Sequence, residues 1–225
     1  FFLFFSKYFR RKTAKRKVVF LEKVDWKTQK TRETIGIWGT ESGCGATHLA
    51  IALASYVAGR ERMHTTVAEC NTSQAFAKLE QVYERLPEIS ENREFWIRRI
   101  RYKKQVSIEE IRQMQASGQE CLILDFGKTV QTQWECFLSC KICIVVLSLR
   151  EWKLPSFERF MEETREHKER KSWCFVVRDG FREDIREMEK RYQIYLKQMP
   201  CEIDPFQIRR ENIKFYESLL QTGRR

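Results

Sequence analysis

Ten residues between a strand and a helix carry the clearest chemistry in this 225-residue sequence: Gly39-Thr-Glu-Ser-Gly-Cys-Gly-Ala-Thr-His48. Glycines at 43 and 45 let the backbone wrap closely, so that successive N–H groups and a helix N-terminus converge on an anion. Thr47 stands where a hydroxyl would ligate Mg2+. The stretch departs from the phosphate-loop pattern G-x-x-x-x-G-K-[ST] twice: Thr40 takes the place of the first glycine and Ala46 that of the lysine. Read alone, the loop serves equally well as a plain turn from strand into helix. Asp125 and Glu69 each close an apolar run. Each also has a plain alternative reading, Asp125 as an acid that caps the following turn and Glu69 as a paired strand-end carboxylate. His48 falls in the first helical turn, where packing or solvent outweighs a phosphate contact.

Other constellations are weaker. His64 and His167 lack Cys or acidic partners at zinc-ligand spacing. Cys136, Cys140 and Cys143 spell C-x3-C-x2-C, a spacing found in iron–sulfur loops, yet Cys143 opens the run ICIVVL, where alternation turns it into a sheet. Neither a zinc nor an iron–sulfur site is expected. With no G-x-S-x-G motif and no suggestive Cys/His pair, no catalytic nucleophile is assigned.

The elements that position the loop alternate between strand and helix. TIGIWG (34–39) reads as a buried strand, and 46–59 as an Ala- and Leu-rich helix capped by Gly59. TTVAEC (65–70) is a second strand, 73–86 a helix, and EFWIRRI (94–100) one further strand. Ser107 to Glu110 forms a capping box opening a helix that Gly118 closes. CLILDFG (121–127), ICIVVLSL (142–149) and CFVVRDG (174–180) are buried strands. Helices are expected from Pro155 to about Arg170, over 182–191 and over 208–221. Continuous apolar strands separated by helices imply a single α/β domain, a doubly wound, mostly parallel sheet with helices on both faces.

Charge divides the chain unevenly. The whole carries a net +11, but residues 1–30 hold ten Lys or Arg against two acids, +8, leaving +3 for residues 31–225. A basic groove for nucleic acid is therefore not implied, and nucleic acid is not an expected partner. The chain is divided into a basic tail, 1–32, and a folded domain, 33–225. Opening on Phe1 rather than Met, it reads as a fragment, a processed form or an incomplete reading frame. The start, FFLFFSKYFRRKTAKRK, is too short in its apolar part to span a bilayer, which takes about 20 residues. Residues 1–17 suit the stub of a spanning helix, an anchor on anionic lipid, or a solvated leader. Cys70, Cys121, Cys143 and Cys174 lie in or beside strand-like runs, where a thiol acts as a small hydrophobe, and no disulfide framework repeats; a reducing, cytoplasmic compartment fits.

The order of a strand, a T-x-x-G-x-G-x-T loop, a buried helix, a strand ending VAECN and a later strand ending LILDFG resembles the deviant-Walker (SIMIBI) P-loop ATPases of the MinD/ParA class. Within that class it looks most like the CpaE/TadZ proteins of Flp pilus assembly, several of which have altered P-loops. The likeness runs over about 33–221 and includes IVVLSLREW and MPCEIDPF (199–206). It implies a nucleotide site at Glu41, Ser42, Gly43, Cys44, Gly45, Ala46, Thr47 and His48, with Mg2+ at Thr47 and Asp125. Glu69 and Asn71 fall on the two acids after the class's second strand, and Arg178, Asp179 and Asp204 lie where it reads the base. The class's signature lysine aligns with Glu41, so both P-loop lysines are missing. Each lost charge-assisted hydrogen bond weakens binding by about 1.5–3 kcal/mol, and phosphoryl transfer depends on such cations. Lys128, Arg150 and Arg178 are the candidate substitutes.

The resemblance thus implies a protein that binds ATP or ADP with Mg2+ and is at most a weak ATPase. It would act as a scaffold or localisation factor, with protein partners and as a homodimer, in a membrane-associated assembly such as a pilus or secretion system at the inner face of the cell membrane. The alternatives are an active ATPase with substitute cations and a nucleotide-free interaction module.

Overall fold

The computed structural model describes residues 33–128 and 131–222. The tail, residues 1–32, and the readings placed on it lie outside the described residues. Eight strands form one sheet: β1 (Glu33–Gly39), β2 (Thr65–Glu69), β3 (Glu94–Ile97), β4 (Ile100–Lys103), β5 (Cys121–Gly127), β6 (Ile142–Leu147), β7 (Cys174–Val177) and β8 (Leu196–Gln198). Their order across the sheet is β3-β4-β2-β5-β1-β6-β7-β8. Every pair is parallel except β3 with β4. The helices are α1 (Ala46–Tyr56), α2 (Ala75–Glu84), α3 (Ile108–Ala116), α4 (Trp134–Leu138), α5 (Leu154–Glu163), α6 (Arg182–Tyr192) and α7 (Ile213–Gln221). This is the doubly wound α/β architecture that the apolar runs imply.

Both faces of the sheet are covered because both faces of its central strands are apolar. On one face Ile35, Ile37, Val67 and Ile144 pack beneath α1, α2 and α7. On the other, Trp38, Leu124, Phe126 and Val145 meet α3, α4, α5 and α6. The small side chains of Ala50, Ala52 and Ala54, all fully buried, let α1 lie close to the sheet. Gly36 does the same for the opposite layer: a Cβ there would stand 2.9 Å from both Cys140 Sγ and Phe137 Cδ2. Cys136, Cys140 and Cys143 are buried in that layer. Burial pushes the Cys143 thiol up to about 12.

Several elements differ from the sequence reading. EFWIRRI is not one strand but the first arm and corner of a hairpin, in which Arg98 turns the chain at φ 56° and β4 follows. Gly59 does not cap its helix; the chain runs on as a π-helical turn over Val57–Glu61, and Arg62 takes the left-handed conformation at φ 55°. The helix expected from Pro155 runs from Leu154 only to Glu163, where the buried Thr164 caps it and its hydroxyl donates to the Phe160 carbonyl at 2.7 Å. α4 and β8, of five and three residues, are too short to show periodicity in sequence. The capping box does form: the Ser107 hydroxyl accepts from Glu110 N–H at 3.2 Å, and the Glu110 carboxylate accepts from Ser107 N–H at 2.7 Å. A buried ion pair ties α2 to the end of β4, with Lys104 Nζ 2.7 Å from Glu80 Oε2 and the side chains 8% and 1% exposed.

Candidate phosphate and magnesium site

β1 lies between β5 and β6, and the chain leaves it in opposite directions across the sheet, so a crevice opens at its carboxyl end. The loop 40–45 occupies that crevice. Its first residue is pinned where Thr40 N–H donates to the Val146 carbonyl at 3.0 Å. Gly43 (φ 73°) and Gly45 (φ 102°) take left-handed conformations that a side chain would strain. Cys44 turns inward, almost fully buried against Gly39, and burial raises its thiol above the ordinary value. It wedges the loop rather than facing a ligand. Ala46 is buried at the first turn of α1, and no side chain caps that N-terminus. Its N–H groups, with the positive end of the helix dipole, are thus directed at whatever fills the crevice.

Two cations reach this loop from neighbouring strand ends. Lys153, after β6, places Nζ 2.8 Å from Glu41 Oε1 and donates to the Ser42 carbonyl at 3.3 Å. The pair is mostly buried, at 18% and 14% exposure. Arg178, after β7, lies over Gly45, where a Cβ would meet its Cδ at 2.8 Å. Burial, and then the Arg178 charge, hold the half-buried His48 imidazole below its ordinary pKa and so neutral. Arg178 is one of the three cations expected to reach the site. Lys128 instead stands beside Gly39 and Thr40 on the opposite face of the sheet. Arg150 turns to Asp179, Nε to Oδ2 3.5 Å, and lies over the Trp152 ring. Lys153 was not singled out in the sequence. Its signal is indirect: a lysine in the loop after the strand next to β1, opposite an acid placed in the loop.

Asp125 lies at the floor, fully buried near the end of β5. Burial pushes its carboxyl up to about 6; the Thr47 hydroxyl and Gly127 N–H pull it back, and Glu69 raises it further. Oδ1 accepts from Gly127 N–H at 3.0 Å, whereas Oδ2 is buried with no hydrogen bond of normal geometry. A buried carboxylate oxygen left in this state beside a threonine hydroxyl fits a divalent cation. Glu69 and Asn71 have structural tasks. Glu69 Oε1 accepts from Ala75 N–H (2.6 Å), Phe76 N–H (3.3 Å) and the Ser73 hydroxyl (3.0 Å), closing the N-terminus of α2. Asn71 Nδ2 donates to the Asp125 carbonyl at 2.9 Å and Oδ1 accepts from Ser73 N–H, locking β2 to β5. The C-terminal turn approaches α1, with the Glu202 backbone facing His48. Asp204 folds back on its own turn, accepting from Phe206 N–H and Gln207 Nε2, both at 3.1 Å. Among the described residues no group of His, Cys, Asp or Glu forms a metal cluster, and no helix is long and apolar enough to cross a membrane.

The chain matches no protein-family model and no curated protein. Solved structures do match. A ParA family ATPase from Chlorobium tepidum is 13% identical, covers 87% of this chain and 91% of its own, and superposes with a TM-score of 0.55. A plasmid partition protein from Borrelia burgdorferi bound to AMPPNP is 13% identical over 85% of this chain and 98% of its own, with a TM-score of 0.61. MinD from Aquifex aeolicus is 12% identical over 85% and 95%, with a TM-score of 0.55. With its glycine loop at the carboxyl end of the central strand, the chain has the α/β fold of the ParA and MinD P-loop ATPases.

Proposed function

We propose that this chain is a nucleotide-binding protein of the MinD/ParA/CpaE type whose P-loop is degenerate, so that ATP or ADP with Mg2+ acts as a ligand and state signal while hydrolysis is weak or absent. The observation that carries this reading is the pairing of an uncapped helix N-terminus behind Gly43 and Gly45 with a buried acid, Asp125, against Thr47. The backbone amides would hold phosphate oxygens, and Thr47 and Asp125 would hold Mg2+, which when bound neutralises phosphate charge. Arg178 is the cation placed to replace the P-loop lysine. Lys153 is already neutralised by Glu41, so the loop carries one effective side-chain cation where the class uses two. That deficit supports binding without efficient turnover. Arg178, Asp179 and Asp204 remain the proposed base-side residues, although Asp179 and Asp204 also hold their own loops.

The role proposed is a scaffold or localisation factor with protein partners, as a homodimer, in a CpaE/TadZ-like membrane-associated assembly such as a pilus or secretion system. The Borrelia neighbour binds AMPPNP and the Aquifex MinD fold also occurs in a complex with MinC, which supports a nucleotide and a protein partner for this fold. In this reading the basic residues 1–17 would contact anionic lipid at the inner face of the cell membrane. The full chain is expected to sediment with anionic vesicles and to lose that binding as salt rises; equal sedimentation with neutral vesicles defeats the electrostatic part.

Thermal unfolding of the full chain tests the nucleotide reading. A ligand confined to the folded state stabilises by about 2.7 kcal/mol at a hundredfold excess over Kd. Mg-ATP should raise the midpoint, Thr47→Ala should erase the rise, and Ala46→Lys should tighten ATP binding about tenfold or more by restoring a charge-assisted bond. No shift at millimolar nucleotide, with or without Ala46→Lys, would leave a nucleotide-free interaction module.

A further inference from the structure

A second cavity of about 450 Å3, which shares Thr40 with the glycine loop, opens on the face of the sheet opposite α1, between the end of β1, α4 and α5. Its volume falls in the range of small-molecule sites. Three of its walls are aromatic. Trp38 and Trp134 meet edge to face at 4.8 Å and 89°, and Trp134 meets Phe160 at 6.0 Å and 71°. Both contacts hold the rings in fixed orientations, and a flat ligand would add a further ring to the cluster. Trp134 is itself held in place, since its indole N–H donates to His167 Nε2 at 3.3 Å.

The polar groups of the cavity favour an anion. Lys128 and Arg159, both exposed, line it, and neither forms an ion pair among the described residues. One acid, Glu163, stands with them. Thr40, also in the wall, is only 8% exposed, and its hydroxyl is buried without a hydrogen-bond partner. A buried hydroxyl in that state needs a partner that the described residues do not supply. Two uncommitted cations and an orphaned donor thus share a pocket with an aromatic floor.

The geometry points to a binding site for a small aromatic carboxylate, its ring against Trp38, Trp134 and Phe160 and its carboxylate toward Arg159, Lys128 and the Thr40 hydroxyl. Arg is suited to a planar carboxylate because its guanidinium donates two parallel hydrogen bonds. The site goes beyond the nucleotide reading and does not depend on it.

Calorimetry and saturation-transfer NMR on the full chain, with 1-naphthoate as the probe, test the inference. Saturable binding is expected. Arg159→Glu and Lys128→Glu, both at exposed positions, should each weaken it about tenfold without lowering the unfolding temperature. The neutral 1-naphthalenemethanol should bind more weakly than the carboxylate. Thr47→Ala, in the phosphate loop, should leave naphthoate affinity unchanged. Absence of saturable binding, indifference to both charge reversals, or equal affinity for the alcohol overturns the assignment. Loss of binding in Thr47→Ala overturns it too, by moving the probe to the nucleotide loop.

Discussion

Asp125→Asn is expected to make the protein more stable at pH 7.5 in EDTA, by about 3 kcal/mol. Burial holds this carboxyl protonated up to about 6 in the folded state, well above its unfolded value. An acid with a raised folded pKa contributes stability that is whole below about pH 4 and lost as pH climbs through about 6. Above that range the wild type folds only by confining a negative charge beside Glu69. Asparagine keeps an oxygen to accept from Gly127 N–H and removes the charge. For a domain of this size the gain corresponds to roughly 6–12 °C in the unfolding midpoint. The variant should also lose its stabilisation by Mg-ATP, since the proposed cation site loses its acid. Parallel pH–stability profiles for the two proteins, or a variant less stable at pH 7.5, would contradict the account.

Lys104→Met is expected to destabilise the fold by about 3–5 kcal/mol. Lys104 Nζ contacts Glu80 Oε2 at 2.7 Å and the Ser90 carbonyl at 2.9 Å, deep between α2 and β4. Removing the cation leaves a carboxylate that is 1% exposed with its charge uncompensated. The double substitution Lys104→Met with Glu80→Leu should recover most of the loss, because two apolar groups of similar volume avoid desolvating either charge. Chemical denaturation of the four proteins of this cycle measures both effects. A single variant that loses under about 1 kcal/mol, or a double variant as unstable as the single, would show that the pair is not the cross-link described.

Much of the architecture was legible because its signals are local. A central strand of a two-sided parallel sheet buries both faces, so CLIL and ICIVVL announce themselves as unbroken apolar runs. Ser107 and Glu110 carry their helix start within four residues. The glycine loop was visible for the same reason: Gly43 and Gly45 supply the positive φ that the turn requires. The hairpin at Arg98 was not, since an arginine at φ 56° is imposed by the pairing of β3 with β4 rather than by its own preference. Nor could periodicity find α4 or β8, which span less than the window that would reveal them.

The site divides along the same line. Residue type and spacing determined where the glycine loop begins, which glycines bend it, and that a threonine and a strand-end acid accompany it. Strand order decided the rest. Because β6 and β7 follow β1 across the sheet, their loops deliver Lys153 and Arg178 to a loop more than a hundred residues earlier in the chain. Because α2 starts directly over the end of β2, one oxygen of the Glu69 carboxylate closes that helix. Charge and hydrogen bonding act over a few ångströms of space, and only the folded chain sets which side chains come that near.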